Sequence, residues 1–217
     1  MAQISQISRN KTRIAVLVSG GGTNLQALID AQGRGELGGG EIVMVLASKP
    51  GVYALERAAG AGIEGVVLAR KEYTDADAYT KALVEVLQQE KIDLVVLAGF
   101  MIIIGEEMYR AFPNRIINVH PALIPSFCGQ GFYGLHVHEA ALAKGVKVSG
   151  ATVHFVTPEC DAGPIILQKA VDVHEDDTPE TLQKRIMQEA EWNILPEAVS
   201  LFCQGRLKVE NDRVYIQ

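Results

Sequence analysis

The chain has 217 residues, 48% of them hydrophobic, enough to bury a substantial core in one domain. Its formal net charge is −6 with no block of Lys or Arg, which disfavours nucleic-acid and membrane-surface partners but leaves anionic small molecules open, because a local site can oppose the global sign. Residues Met1 to Lys11 lack a secretory signal core, no apolar run nears the ~20 residues of a membrane helix, and three scattered cysteines (Cys128, Cys160, Cys203) lack CxxC spacing, so a cytoplasmic protein with reduced thiols is expected.

A disordered or extended tail over residues 1–12 is expected, followed by a single domain over 13–217. Apolar, β-rich runs predict strands at Arg13 to Val18, Glu41 to Ala47, Ile63 to Leu68, Asp93 to Ala98 and Arg115 to Val119. Helical patterns lie between them, at Asn24 to Arg34, Val52 to Ala61, Thr74 to Gln89 and roughly Gly105 to Phe112. This alternation is the signature of an α/β fold with a doubly wound, mostly parallel, Rossmann-like sheet and helices on both faces. Uninterrupted apolar strands such as Leu94-Val95-Val96-Leu97 suit burial on both sides. Further on, His138 to Lys144 reads as helix, and Gly150 to Val156 and Ile165 to Val173 as strands. A long helix is expected from Thr178-Pro179, where Thr caps and Pro suits the first turn, to about Phe202, with a bend at Pro196. A terminal hairpin over Lys208 to Ile216 turns at Asn211-Asp212.

Two features carry chemistry. Ser19-Gly20-Gly21-Gly22-Thr23-Asn24 joins the first strand to the first helix, where glycines and a helix N-terminus expose N–H groups fit to cradle a phosphate. It matches neither GxGxxG, since Leu25 stands at the third glycine, nor a Walker loop, so it reads as a monophosphate site or as a tight βα turn without ligand. Asn118-Val119-His120-Pro121 lies where a buried strand empties into a loop, and Asp161 follows downstream. An amide N–H and an imidazolium can donate to a developing oxyanion, and a carboxylate beside the imidazole favours its charged form. The alternative is a core histidine at a strand end and a loop aspartate before Gly163-Pro164.

Other residues read more plainly. His136 and His138 form an H-x-H without a recognisable third ligand, His154 is a strand histidine lying near the pocket or packed against it, and Cys128 is a passive thiol. Glu175-Asp176-Asp177 is expected to serve the helix dipole.

The motifs SGGGTNLQALID, LAGFM, INVHPALIP, GVKVSGATVHFV and DAGPIILQ, in this order and spacing, resemble the phosphoribosylglycinamide formyltransferase family from Arg13 to about Leu207. That resemblance implies transfer of a formyl group from the co-substrate 10-formyltetrahydrofolate to the glycyl amine of glycinamide ribonucleotide in purine synthesis, with no metal. It implies catalytic roles for Asn118 and His120, with Asp161 tuning the histidine, and a phosphate loop of Gly21, Gly22, Thr23 and Asn24. Glu191 would hold the glycinamide, Gln188 would lie near its phosphate, and Met101, Ile102, Ile103 and Ile104, with Asn118, would line the folate pocket. Residues 13–112 then form a nucleotide-phosphate half and 113–217 a folate and catalytic half. Ile102 and Ala76 stand where relatives carry arginines toward the folate tail, and Lys71 can supply that charge. The longer segment Phe127 to Tyr133 suits a lid. Small-molecule partners and a monomer or weak homodimer are expected.

Two siblings share the folate half. Formyltetrahydrofolate deformylase carries an extra N-terminal domain and methionyl-tRNA formyltransferase a C-terminal RNA-binding domain, and neither extension is expected here. A nonenzymatic nucleotide-binding module would need the glycine loop alone.

Overall fold

Strand β1 (Thr12–Val18) is apolar from Ile14 onward because both of its faces are covered. Ile14, Val16 and Val18 enter one buried cluster, and Ala15 and Leu17 another on the opposite side. In the computed structural model, which describes residues 11–217, β1 sits inside a seven-stranded sheet of order β3-β2-β1-β4-β5-β6-β7. Its other members are β2 (Gly40–Ala47), β3 (Glu64–Val67), β4 (Leu94–Leu97), β5 (Ile116–His120), β6 (Val148–Phe155) and β7 (Ile165–Asp172). The first five pair in parallel, while β6 runs against β5 and β7 against β6.

Helices α1 (Thr23–Gly33), α2 (Tyr53–Gly60), α5 (Leu135–Lys144), α6 (Pro179–Ile186) and α7 (Trp192–Cys203) contribute to the first cluster. Helices α3 (Ala76–Gln89) and α4 (Glu106–Ala111) supply the second. The sheet is therefore doubly wound, as its alternating pattern predicts. The expected tail lies outside the described residues as far as residue 10, and Thr12 already opens β1. Strand β3 is shorter than Ile63 to Leu68 because it is an edge with one partner, and Val67 is 43% exposed there. Helix α5 starts before His138, at Leu135, after Gly134 turns the chain at φ 55°.

Strand β1 pairs with β2 on one side and β4 on the other, so the chain's winding reverses there and a crevice opens beyond the carboxyl ends. Ser19 bridges it, its Oγ accepting from the Met101 N–H at 2.9 Å and lying 2.8 Å from Ser48 Oγ.

The C-terminal helical run departs from expectation. Thr178 caps α6, in a reciprocal pair with Thr181, and Pro179 opens its first turn, as the sequence predicts. The long helix does not break at Pro196, however. That proline is buried inside α7, and the interruption lies upstream in a π-helical turn, Met187–Glu191. Asp177 does more than offset the helix dipole, for it takes both nitrogens of the Arg185 guanidinium at 2.6 Å each with its side chain 2% exposed. The hairpin of β8 (Leu207–Glu210) and β9 (Arg213–Ile216) turns at Asn211 and Asp212, both left-handed at φ 50° and 57°, which short polar side chains tolerate.

Breaking a partly buried, bidentate ion pair leaves a charge without its partner, at a cost between the ~0–1 kcal/mol of exposed pairs and the ~3–5 kcal/mol of fully buried ones. Arg185→Ala is therefore expected to lower unfolding free energy by about 1–3 kcal/mol in urea titrations. A change within about 0.5 kcal/mol would show that the pair behaves as an exposed one.

Candidate active site

On β5, Ile117 and Val119 face the first cluster and Ile116 the second, so Asn118 and His120 share Ile116's side by strand alternation. The antiparallel register sets Asn118 opposite His154 and His120 opposite Thr152. His154 Nδ1 lies 2.9 Å from the Phe155 carbonyl, which can only accept, so Nδ1 carries a proton; in the neutral ring Nε2 is then free to accept from Asn118 Nδ2 at 3.2 Å. The carboxamide is thus fixed in one orientation, with a second N–H to spare. Thr152, fully buried, donates to the Ala122 carbonyl at 2.7 Å and accepts from the Ile124 N–H at 3.1 Å, holding the chain just after His120 against β6.

Asp161 arrives from the connection between β6 and β7. Its φ of 54° is left-handed, a conformation aspartate adopts more readily than most residues. Gly163 sits so close to the Phe155 carbonyl that a Cβ would collide with it. The Asp161 carboxylate accepts from the Gly129 N–H at 2.9 Å and lies 3.5 Å from His120 Nδ1 and 3.6 Å from His154 Nε2. His120 Nε2 donates to the Phe127 carbonyl at 2.8 Å.

Two forces of opposite sign act on His120. Burial disfavours its charge, the Asp161 carboxylate and the Phe127 carbonyl favour it, and the net pKa lies below the ordinary histidine value. The expectation that Asp161 raises this pKa is right for the pair and wrong for the total, because burial outweighs the carboxylate. Asp161 is pushed up by burial, but His154, the His120 charge and the Gly129 N–H outweigh that push and hold it below the usual carboxylate range.

The glycine loop forms the second part of the site. Gly22 caps α1 in a left-handed conformation, φ 70°, with Ala54 Cβ 2.7 Å from where its own Cβ would stand. No side chain caps α1, so its first amides are free for a ligand. Arg57 Nε donates to the Gly21 carbonyl at 2.9 Å, steadying the loop from α2. Behind Thr23, Asn24 Nδ2 donates to Glu191 Oε2 at 2.6 Å, while Asn24 Oδ1 is buried without a partner. Burial pushes the Glu191 carboxyl up to about 7, against the lowering effect of Asn24. Together they present an unpaired acceptor and a titratable carboxyl at the foot of the loop. Gln188 lies on the same π turn, three residues before Glu191, with its side chain exposed.

The expected folate segment divides. Met101 and Ile102 line a cavity of about 440 Å³ with Ser19, Ser48, Lys49, Arg70 and Lys71, whereas Ile103 is 78% exposed and Ile104 is buried in the second cluster. Lys49 and Arg70 escaped the sequence reading because nothing in their spacing ties the ends of β2 and β3 to Lys71. His136 is exposed and pairs with Glu139 at 2.9 Å, and His138 is buried with both ring nitrogens unpartnered, so the H-x-H points two ways. Burial pushes the Cys128 thiol up, in keeping with a passive group. Among the described residues, no group of three or more His, Cys, Asp or Glu is placed to hold a metal ion.

Comparison with known proteins gives this geometry a family. Residues 12–199 match the formyl transferase family. The chain is 39% identical to the chloroplastic phosphoribosylglycinamide formyltransferase of Arabidopsis thaliana over 94% of its own length and 70% of that protein's. It is 41% identical to the human trifunctional purine biosynthetic protein adenosine-3 over 95% of its length, but spans only 20% of that larger protein. A glycinamide ribonucleotide transformylase 1 from Symbiobacterium toebii superposes with a TM-score of 0.90 at 47% identity, covering 95% of this chain and 94% of that one. A formyltetrahydrofolate deformylase from Pseudomonas syringae pv. tomato is more distant, at 26% identity and a TM-score of 0.83, with 66% of its chain covered. The chain belongs to the formyl transferase family, among its phosphoribosylglycinamide formyltransferases.

Proposed function

We propose that the protein transfers the formyl group of 10-formyltetrahydrofolate to the glycyl amine of glycinamide ribonucleotide, with Asn118, His120 and Asp161 at the reacting carbonyl. The observation that carries this reading is the meeting of β5, β6 and the Asp161 loop around one polar point, with Asn118 held by His154 and His120 by Asp161. The ribonucleotide's phosphate sits on the amides of Gly22, Thr23 and Asn24, and its glycinamide N–H groups meet Glu191 and the unpartnered Asn24 oxygen.

The amine lone pair attacks the formyl carbon, and the new C–N bond places negative charge on the formyl oxygen. The free N–H of Asn118 donates to that oxygen. The His120 Nε2 proton, engaged by the Phe127 carbonyl at rest, turns to it when segment 126–134 shifts. Collapse of the adduct breaks the bond to N10 of the folate, which receives the proton that the amine gives up, relayed through His120 under the charge of Asp161. Placing two substrates side by side contributes up to about 7–11 kcal/mol of the acceleration. No covalent formyl-enzyme is required.

The cationic cavity of Lys49, Arg70 and Lys71 receives the carboxylates of the folate's glutamate tail, standing in for the arginines absent at Ala76 and Ile102. Met101 and Ile102 line the path to it. The enzyme works on small molecules in the cytoplasm as a monomer or weak homodimer, without nucleic acid or membrane. Its net charge of −6 favours small-molecule partners over nucleic acid.

Asn118→Ala is expected to lower kcat by about 10²–10³ with an unchanged thermal midpoint, the usual loss of one oxyanion donor. His154→Ala acts through the same carboxamide and lowers the same parameter by less. Turnover of Asn118→Ala near wild type in a spectrophotometric assay of released tetrahydrofolate would sink the mechanism, and release without ribonucleotide would favour a hydrolase.

The raised Glu191 pKa fixes a second expectation. The proton is held more tightly in the folded protein, so its contribution to stability is present below the ordinary carboxyl value of 4.5 and lost as pH rises through about 7. The ionised carboxylate is thus costly in the free protein and is relieved when substrate N–H groups pair with it. kcat/KM for glycinamide ribonucleotide should rise as pH climbs through about 7, and Glu191→Gln should remove that limb. An unaltered profile in the variant would assign the limb to another group.

For the tail, Lys71→Ala and Arg70→Ala are expected to raise KM for the formyl donor several-fold, more for longer glutamate tails and at low ionic strength. Equal KM values for one-glutamate and multi-glutamate donors in wild type and variants would empty the cavity of that role.

A further inference from the structure

At about 100° per residue, an unbroken helix from Pro179 onward would turn Glu191 to the side opposite Leu182 and bring Asn193 round to Leu182's own side. The structure has the reverse. Leu182, Ile186, Ala190 and Glu191 are all buried, Glu191 being 6% exposed, and Asn193 faces solvent. The buried stripe then continues through Ile194, Leu195 and Ala198. The π turn Met187–Glu191 absorbs the surplus rotation, and its wide i→i+5 geometry lets one helical run present two stripes that are out of phase.

Such a turn leaves backbone carbonyls displaced from their usual α-helical donors. Here the Asn193 side chain supplies the donor, its Nδ2 reaching the Gln188 carbonyl at 3.1 Å and the Glu189 carbonyl at 3.0 Å. Both carbonyls belong to the turn that carries Glu191 to Asn24. The surplus residue cannot slip toward the N-terminus, where Thr178, Thr181 and the Asp177–Arg185 pair pin α6. It cannot slip toward the C-terminus either, where buried Pro196 and its neighbours fix the register of α7.

We propose that Asn193 is a positioning residue for the acceptor substrate: by bonding the two carbonyls of the π turn, its carboxamide keeps the Glu191 carboxyl turned onto Asn24 at the foot of the glycine loop. This rests on the reading of Glu191 as the group that meets glycinamide ribonucleotide. The inference concerns acceptor binding alone, because neither Asn193 nor the π turn touches the cavity assigned to the folate tail or the Asn118–His120–Asp161 group.

The test is steady-state kinetics of Asn193→Ala and Asn193→Ser beside wild type and an exposed control on the next turn of α7, Glu197→Ala. Asn193→Ala is expected to raise KM for glycinamide ribonucleotide roughly three- to tenfold, the scale of a partly exposed hydrogen-bonded pair, with KM for the formyl donor unchanged and a smaller effect on kcat. Asn193→Ser, whose hydroxyl can still reach the carbonyl one turn back, should recover part of the loss. The control should match wild type. A variant that raised both KM values equally, or an Ala variant indistinguishable from wild type, would overturn the positioning role while leaving the substrate reading intact. A wild type without ribonucleotide-dependent turnover would overturn that reading and this inference together.

Discussion

The site depends on the reversal of chain direction between β5 and β6. An antiparallel neighbour puts residues directly opposite one another, so Asn118 meets His154 across the ladder and Thr152 grips the backbone that follows His120. It also allows β6 and β7 to be joined by a short connection instead of a crossover helix, and that connection returns Asp161 to the two histidines. On this face the helices α3 and α4 cover β1, β2 and β4, whereas the far strands are roofed by the segments around Phe127 and Asp161. Polar side chains on Ile116's side of β5 therefore meet polar loops, and the burial that would strand them elsewhere is offset by hydrogen bonds.

The same burial sets the electrical character of the site. A carboxylate beside an imidazole promises a readily charged histidine, yet His120 is 4% exposed and burial prevails over Asp161. The imidazole is thus poised on the neutral side, where a negative charge developing on a nearby oxygen has most to gain by drawing a proton to it. Glu191 is under the same pressure with the opposite result for charge, since a carboxyl resists burial by keeping its proton.

Much of this was legible in the residues. The order of strands and helices followed from periodicity, the Thr178-Pro179 cap and the Asn211-Asp212 turn from local chemistry, and the glycine loop from its place between β1 and α1. His154 was visible only as a histidine in a strand, because its role lies in a register that links it to Asn118 from 36 residues away. The π turn leaves a trace in the residues, for the apolar stripe of Leu182 and Ile186 slips phase before Ile194 and Leu195, but Pro196 is the more conspicuous signal of a break. Gln188 and Ile104 are placed in the site by likeness to relatives and by nothing in the local pattern; the first has an exposed side chain and the second a buried one. The net pKa of His120 was beyond reach because solvent exclusion is a property of the assembled roof.

The close approach of Gly163 to the Phe155 carbonyl has a mechanical meaning. The connection holding Asp161 is pressed against the end of β6 with no space between them, and the Phe155 N–H closes the contact by donating to the Pro164 carbonyl at 2.9 Å. The carboxylate is in effect bolted to the sheet, an anchorage that should hold its thermal wander below what a free loop of equal length would permit. Heating or dilute denaturant should leave this acid at its post until the whole ladder gives way.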